Sequence, residues 1–399
     1  MHTPLNNFRV LDLSNVLAGP FCAYQLALMG AEVIKVEVPG QGDLARSLGA
    51  EPAAAAQRMG VSFLAVNAGK QSITLNLKHA EGKAILKQLV ARADVLVENF
   101  RPGVMARLAL DYPVLQAVNP ALVYCAISGF GQDGPWAQRP AYDQIIQGLS
   151  GLMSVTGDSA SAPLRAGFPV CDTLGGMAAA FAIAAALAGR ARSGTGCLID
   201  VSMLEATLAS MGWVVSNYLA TGEAPRPMGN DNFTAAPSGT FATADGLLNI
   251  AANEQRQFEA LCEAIGRPDL KTDDRFAARE ARKHNRAALN GAIESALSRR
   301  TAQEWEAILV AAGVPAGRVM SLPQILAEPQ VRDRGFVLDL GPVPGLGQNA
   351  RATRSGFRVD GHVPQPSPPP QLGAHTATWL HELGYDDAEI ARLRGHGVI

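Results

Sequence analysis

A carboxylate able to attack a carbonyl stands in the segment Ala166-Gly-Phe-Pro-Val-Cys-Asp-Thr-Leu-Gly-Gly176, where Asp172 precedes the Ala-rich apolar run Met177 to Leu187. Two roles fit it. An Asp followed by small residues and an apolar run is a helix N-cap, its side chain accepting from the first amides. An ionised carboxylate in the same place is a nucleophile toward acyl carbon, because attack needs the deprotonated form. The roles are compatible: the unpaired N–H groups and dipole of a helix start favour the charged form by about 0.3–1 kcal/mol. Cys171 is a second candidate, as a thioester-forming nucleophile, yet none of the seven histidines (positions 2, 79, 284, 362, 375, 381 and 396) lies near it in sequence. Its apolar surroundings favour a small buried hydrophobe.

Basic residues stand singly beside turns: Arg46 after Gly40-Gln-Gly-Asp43, Lys70 after Gly69, Lys78 behind a strand, Arg101 and Arg107 around Pro102-Gly103, and Arg139 before Pro140. Gathered at the carboxyl ends of parallel strands, such residues would bind a phosphorylated cofactor without a P-loop. A dinucleotide site is disfavoured. The turn Ser14-Asn-Val-Leu-Ala-Gly-Pro20 offers one glycine where G-x-G-x-x-G needs three, although Glu37 stands where an acid would hold a ribose. The glycine spacing recurs at Gly129-Phe-Gly-Gln-Asp-Gly134, but Pro135 and Trp136 follow instead of an apolar helix.

The elements that must position these groups alternate between strand and helix. Arg9 to Leu13 reads as a strand, Pro20 to Gly30 as a helix begun by proline and ended by glycine, and Glu32 to Glu37 as a second strand. Ser72 to Leu77 follows as a strand, Glu81 to Ala93 as an amphipathic helix, and Asp94 to Val97 and Ala121 to Ser128 as buried strands. This alternation predicts a parallel sheet in a doubly wound α/β domain. A strand at Cys197 to Ser202 leads into a helix to about Ala220, and the Gly- and Pro-containing stretch Thr221 to Pro227 reads as a linker. From Gly239 to Gly317 a strand pair and charged amphipathic helices predict a second, smaller α+β unit. Pro364 to Pro370 reads as an extended arm, and Thr376 to Arg394 as a helix.

At 399 residues, 48% hydrophobic and 18% charged, the chain suggests two domains with ample core. Thirty-four basic against 36 acidic residues give a charge of −2, which makes no bulk case for a nucleic-acid partner. The run Met177 to Leu187 falls short of the roughly 20 residues that span a bilayer, and the N-terminal residues lack the pattern of a signal peptide. The expectation is a cytoplasmic enzyme without a membrane partner. Five scattered cysteines without a C-x-x-C pair fit reduced thiols and no zinc site.

Several strings together resemble the class III CoA-transferase family (CaiB/BaiF type), which also contains the α-methylacyl-CoA racemases. They are Val10-Leu-Asp-Leu-Ser-Asn-Val-Leu-Ala-Gly-Pro20, Gly30-Ala-Glu-Val-Ile-Lys-Val-Glu37, Gly42-Asp43, Val97-Glu-Asn-Phe-Arg-Pro-Gly103, Gly129-Phe-Gly-Gln-Asp-Gly-Pro135 and Ala141-Tyr-Asp143, with Leu372-Gly-Ala-His-Thr376 and Leu383-Gly-Tyr385 near the C-terminus. The resemblance implies a Rossmann-like doubly wound large domain made from both chain ends: residues 1–195 first, a linker helix at 196–227, a small α+β domain at 228–330, and a return segment at 331–399. It also implies an interlocked homodimer. Asp172 matches the aspartate that carries the acyl group. By position, Leu17 and Ala18 would sit by the thioester of coenzyme A, Leu75 to Lys78 and Asn99, Phe100 and Arg101 would line its nucleotide, Arg107 would meet phosphate, and Tyr142 and Asp143 would border the pantetheine. Val38 departs from the pattern, standing where a formyl-CoA-type transferase has arginine.

Within the family, racemases resemble Gly-His-Asp where this chain has Ala141-Tyr142-Asp143. Tyrosine, with an ordinary pKa of about 10, is a poor base for α-proton exchange. Transferase chemistry is therefore expected over a racemase or a non-catalytic CoA-binding protein. The route runs through an aspartyl-CoA thioester, with Leu17-Ala18 amides meeting the developing oxyanions, and requires neither a metal nor nucleotide hydrolysis. Gly229-Asn-Asp-Asn232, with Asn230, is expected as a lid that keeps water from the anhydrides. Gly151 to Gly157 and Leu164-Arg165 resemble the branch that uses succinyl-CoA with C5 or C6 dicarboxylates, where Arg46 or Arg165 would bind the distal carboxylate.

Overall fold

The computed structural model describes residues 3–399. The chain divides into two compact units: the first holds the chain up to Leu152, Arg165–Gly222 and Pro329–Ile399, and the second holds Met153–Leu164 and Glu223–Glu328.

The first unit opens with β1 (Arg9–Asp12), α1 (Ala18–Leu28), β2 (Glu32–Glu37) and β3 (Lys70–Thr74). Helix α2 (Ala80–Val90) leads to β4 (Val95–Glu98) and β5 (Val123–Ser128). Then come α3 (Asp143–Leu149), the long α4 (Val170–Ser193), β6 (Cys197–Ser202), α5 (Met203–Ser210) and α6 (Gly212–Thr221). All six strands are parallel, in the order β3-β2-β1-β4-β5-β6. Val95-Leu-Val-Glu98 is buried throughout, as expected of a parallel strand covered on both faces. The strand order reverses direction between β1 and β4, and the crevice beyond the carboxyl ends of those two strands is where open α/β sheets bind ligands. That crevice is built from the Ser14–Leu17 turn after β1 and the Asn99–Gly103 turn after β4.

Helix α4 runs for 24 residues because alanine has the highest helix propensity, and it stops at Gly194, which takes a left-handed φ of +72°. It is the one helix among the described residues long and apolar enough to cross a membrane; Met177 to Leu187 is only its middle. Its Gly175, Gly176, Ala179 and Ile183 face is buried, and the helix packs on α1, β5 and β6. At Gly176 an added Cβ would lie 2.5 Å from Ala18 O, so only glycine lets α1 and α4 approach this closely.

Several boundaries differ from the sequence reading. Of residues 196–227, expected as a linker helix, those up to Gly222 supply the edge strand β6 and two helices to the first unit, and the rest belong to the second. The helix expected to reach Ala220 breaks at Met211, whose backbone leaves the helical region just before Gly212. Strand β3 begins at Lys70 rather than Ser72, because the β2 ladder pairs Val33 with Lys70.

The second unit contains β7 (Ser238–Ala242) and β8 (Leu247–Ala251), then the helices α7 (Gln255–Ala264), α8 (Arg286–Leu297) and α9 (Ala302–Ala311), and last the short β9 (Ala316–Arg318). The three strands form an antiparallel sheet over a core of Phe241, Leu248, Phe258, Trp305 and Leu309.

The return segment completes the first unit. Strands β10 (Val337–Gly341) and β11 (Ala350–Thr353) form a hairpin whose Leu338, Leu340 and Ala352 join Tyr24 and Leu28 of α1 in one cluster. Helices α10 (Thr376–Glu382) and α11 (Asp387–Gly395) replace the single helix expected from Thr376. Gly384, at φ +97°, ends the first, and an Asp386–Glu389 capping box starts the second. Trp379 donates to the Gln71 side chain at 2.6 Å, and Thr376 Oγ1 accepts from Thr74 N–H at 3.0 Å, which ties α10 to β3.

Candidate active site

Asp172 is the third residue of α4, and the cap position belongs to Pro169, so Asp172 is not the N-cap that its sequence context suggested. The cap is supplied from another helix. Asp143, the first residue of α3, accepts from Cys171 N–H at 2.8 Å and Asp172 N–H at 3.3 Å through Oδ1. Its Oδ2 accepts from Gln147 Nε2 at 2.6 Å. Gln147, fully buried one turn along α3, also accepts from Ala166 N–H at 2.8 Å, which orders the chain entering α4.

This arrangement reverses the expected electrostatics of Asp172. Burial, with the like charge of Asp143 added, raises its pKa from 3.8 to about 7. The first-turn dipole does not offset desolvation, because Asp143 already occupies the amides that would stabilise the charge. The carboxylate is poised near neutrality, more basic and so a stronger nucleophile than an exposed Asp. Cys171 is buried and its thiol is pushed up to about 11, chiefly by burial, so little thiolate forms near neutral pH.

Asp172 lies one helical turn before Gly176 on the same face of α4, and Gly176 packs on Ala18. The nucleophile candidate is thereby placed toward the start of α1. That start has no side-chain cap: Leu17 occupies the cap position, and the Ala18 and Gly19 amides open the helix. An added Cβ at Gly19 would lie 2.2 Å from Ser14 Cβ, so the turn folds directly over this position. Of the residues picked out separately in the sequence, Asp143 thus meets the Asp172 amide, and Ala18 meets Gly176 one turn further along the same helix.

The CoA-transferase family III model matches residues 5–376. The chain belongs to CoA-transferase family III. It is 42% identical over 341 residues, 85% of this chain and 87% of the relative, to an acetyl-CoA:oxalate CoA-transferase of Acetobacter aceti. It is 37% identical to a succinate–glutarate CoA-transferase of Agrobacterium fabrum, over 95% of this chain and 96% of that protein. A CAIB/BAIF family protein from Brucella suis has a similar solved structure, with a TM-score of 0.84 and 36% identity over 96% of this chain and 100% of that one. A family III CoA-transferase takes CoA thioesters as substrates.

The other candidates of this transferase differ in what the fold does with them. Asn99 is structural as well as local to the crevice: its side chain accepts from Asn15 N–H and donates to Asn15 O, both at 2.8 Å, and so joins the turns after β1 and β4. Phe100 packs partly on the core, and its N–H donates to Glu98 at 2.8 Å. Lys78, Arg101, Arg107, Tyr142 and Arg165 are exposed and available to ligand, as is Val38. Asn230 belongs to the second unit, where the neighbouring Gly229 N–H donates to Gly157 O at 2.6 Å.

Two expectations are corrected. The Leu75 side chain is buried in the core at 1% exposure, so only its backbone is placed to line a ligand. Arg46 is completely buried, with Nε and Nη2 each 2.7 Å from Glu37 in a bidentate pair, and cannot reach a substrate carboxylate. Sequence reasoning missed Gln147 and Glu98. Glu98 is a buried acid raised to about 7 by desolvation, beneath the Asn99–Arg101 turn. Their signal, a polar residue in an otherwise apolar pattern, is also that of a solvated face. Among the described residues no three His, Cys, Asp or Glu gather as metal ligands would.

Asp143→Ala is expected to lower stability by about 0.5–2 kcal/mol, as for a lost cap. It should also move the acid limb of kcat/KM below its wild-type position near pH 7, because the like charge beside Asp172 is gone. Thermal melts and a pH–rate profile check both; an unmoved limb would show that Asp143 has no electrostatic hold on Asp172.

Proposed function

We propose that this transferase moves CoA from succinyl-CoA to a small dicarboxylic acid through Asp172. The observation that carries the proposal is the corner itself: a half-buried carboxylate titrating near neutrality, its backbone N–H accepted by Asp143, one helical turn from the Gly176 contact with the uncapped start of α1.

Asp172 attacks the donor thioester carbon and expels CoA thiolate, giving a mixed anhydride. The thiolate then attacks the aspartyl carbon, forming an aspartyl-CoA thioester and releasing the donor acid with the bridging oxygen. Acceptor carboxylate attacks that thioester in turn and expels thiolate. Attack of the thiolate on the acceptor's acyl carbon yields the new acyl-CoA and regenerates the Asp172 carboxylate. Each step exchanges one acyl bond for another, so activation passes from donor to acceptor. The Ala18 and Gly19 amides at the α1 start are the oxyanion donors.

Relatives named for oxalate and glutarate support a dicarboxylate acceptor. With Arg46 held by Glu37, exposed Arg165 is the arginine left for the distal carboxylate. Lys78, Arg101 and Arg107 meet the phosphates of CoA. The enzyme works in the cytoplasm as an interlocked homodimer of Rossmann-like large domains, without nucleic-acid or membrane partners. Phe181 of α4 and Trp213 and Leu219 of α6, each at least 76% exposed, support burial of this face against a second copy.

Incubation with succinyl-CoA and hydroxylamine, followed by mass spectrometry, should place the modification on Asp172. Modification on Cys171, or α-hydrogen exchange with no covalent label, would overturn the mechanism. With glutarate, oxalate and mesaconate as acceptors, Arg165→Gln should raise the acceptor KM on the order of tenfold, as loss of a charge-assisted contact does.

A further inference from the structure

The turn Ser14-Asn15-Val16 carries a backbone conformation that its sequence resists. Val16 has φ +65°, the left-handed region that a β-branched residue almost never enters. Such a conformation persists only where its surroundings hold it on several sides, and here they do. Ser14 N–H donates to Asp12 Oδ1 at 3.0 Å, and Ser14 O accepts from Lys35 Nζ at 2.8 Å. Asn15 is held at both its N–H and its C=O by Asn99. Val16 N–H donates to Asp43 Oδ1 at 2.9 Å.

The two ends of the turn are joined beneath it. Lys35 Nζ lies 2.9 Å from Asp43 Oδ2, an ion pair with no side-chain exposure on either partner. Lys70, also fully buried, donates to Asp12 Oδ2 at 2.8 Å and to Pro20 O, inside α1, at 2.9 Å. A buried ion pair is weak evidence for stability, since an apolar pair of similar volume often serves as well. What the pair grips explains it better: Lys35 Nζ donates to the carbonyl of Ser14, two residues before the strained one, and Asp43 Oδ1 accepts from the amide of Val16 itself. The next two residues are Leu17 and Ala18, where α1 begins and Gly176 makes contact.

We infer that Lys35 and Asp43 are positioning residues for CoA transfer: their buried pair holds Val16 in its left-handed conformation and so aims the first amides of α1 at the reacting acyl group. The inference rests on the reading of the α1 start as the oxyanion site. Neither side chain touches substrate. If the grip is released, Val16 relaxes, the turn swings and turnover falls, whereas the surface that binds CoA is left in place.

A double-mutant cycle between Asp43→Asn and Val16→Gly in the full chain tests this, because glycine takes the left-handed conformation without needing to be held. With succinyl-CoA and the best of the three acceptors above, Asp43→Asn should lower kcat per folded enzyme about 10–100-fold and change the succinyl-CoA KM less than about threefold. In the Val16→Gly background the same substitution should cost under about threefold. Equal losses in both backgrounds, or a loss confined to KM or to the folded fraction, would overturn the inference. Should Asp43→Asn fail to fold, Lys35→Met removes the donor to Ser14 O and the partner of Asp43 and reads the same coupling. Hydroxylamine mapping on the same proteins reports separately on Asp172, so failure of the nucleophile assignment is distinguishable from failure of the positioning claim.

Discussion

Asp172→Asn is expected to remove CoA transfer by on the order of 10³-fold or more, as loss of a nucleophile does, and to make the protein more stable above neutral pH. The second effect follows from the same burial as the first. Asp172 titrates at about 7 in the folded chain against 3.8 for an unperturbed Asp, chiefly through desolvation. Its ionised form is therefore disfavoured by folding. That penalty is fully present above about pH 7, shrinks as the folded state takes up a proton below it, and is gone near pH 4. Asparagine never carries the charge. At pH 8 the variant should gain about 1–3 kcal/mol, allowing for the solvent that reaches a half-buried side chain, and at pH 5 most of that gain should vanish. Urea melts of both proteins at the two pH values check the sign. A variant equally or less stable at pH 8 would mean that Asp172 is an ordinary first-turn acid.

Arg46→Ala is expected to act on stability, not on acceptor choice. Arg46 donates twice to Glu37, to Arg58 O and Pro370 O at 3.1 Å each, and stacks 3.7 Å over Phe63. Truncation leaves Glu37 buried and without its counter-ion, which typically costs about 3–5 kcal/mol. Glu37 also accepts from Asp43 N–H at 3.0 Å, so the damage extends to the support beneath the Val16 turn. A specificity arginine would behave in the opposite way, with a raised acceptor KM and an unchanged melting temperature. Glu37→Gln in the same chain should restore part of the lost stability by removing the orphaned charge. If Arg46→Ala melts like the parent protein, the bidentate pair is not what holds this region.

Much of the architecture was legible in the residues because its signals are contiguous. The limits of β2 and β6 read from the sequence, Glu32 to Glu37 and Cys197 to Ser202, are those observed, since turn residues flank them, Gly30 and Pro39-Gly40 about β2 and Gly194-Thr-Gly196 before β6. Boundaries slipped where a partner decides them. Lys70 joins β3 because Val33 pairs with it, although its buried charge argues locally against a strand. The helix from Met203 was read through Met211 because a methionine before a glycine gives no stop signal of its own.

The candidate site divides along the same line. Leu17, Ala18, Asn99, Asp143 and Asp172 were all recoverable as strings, but the hydrogen bonds that Asn99 and Asp143 make were not. Asp143 read as a residue bordering the pantetheine, and nothing in its sequence context showed that it also caps α4, 29 residues from the Asp172 amide whose hydrogen bond it accepts. Arg46 read as a free arginine beside a turn and proved to be the counter-ion of Glu37.

By themselves, the residues and their spacing determined the parallel α/β sheet, the smaller α+β unit, the family and the identity of the carboxylate at the head of α4. These depend on periodicity and on contiguous motifs, which are local. Only the tertiary structure decided which carboxylate caps that helix, that Arg46 is taken up by Glu37, and why Asp172 titrates near 7. Those properties depend on burial and on neighbours brought from distant parts of the chain, and desolvation energy belongs to a place in the fold, not to a residue type.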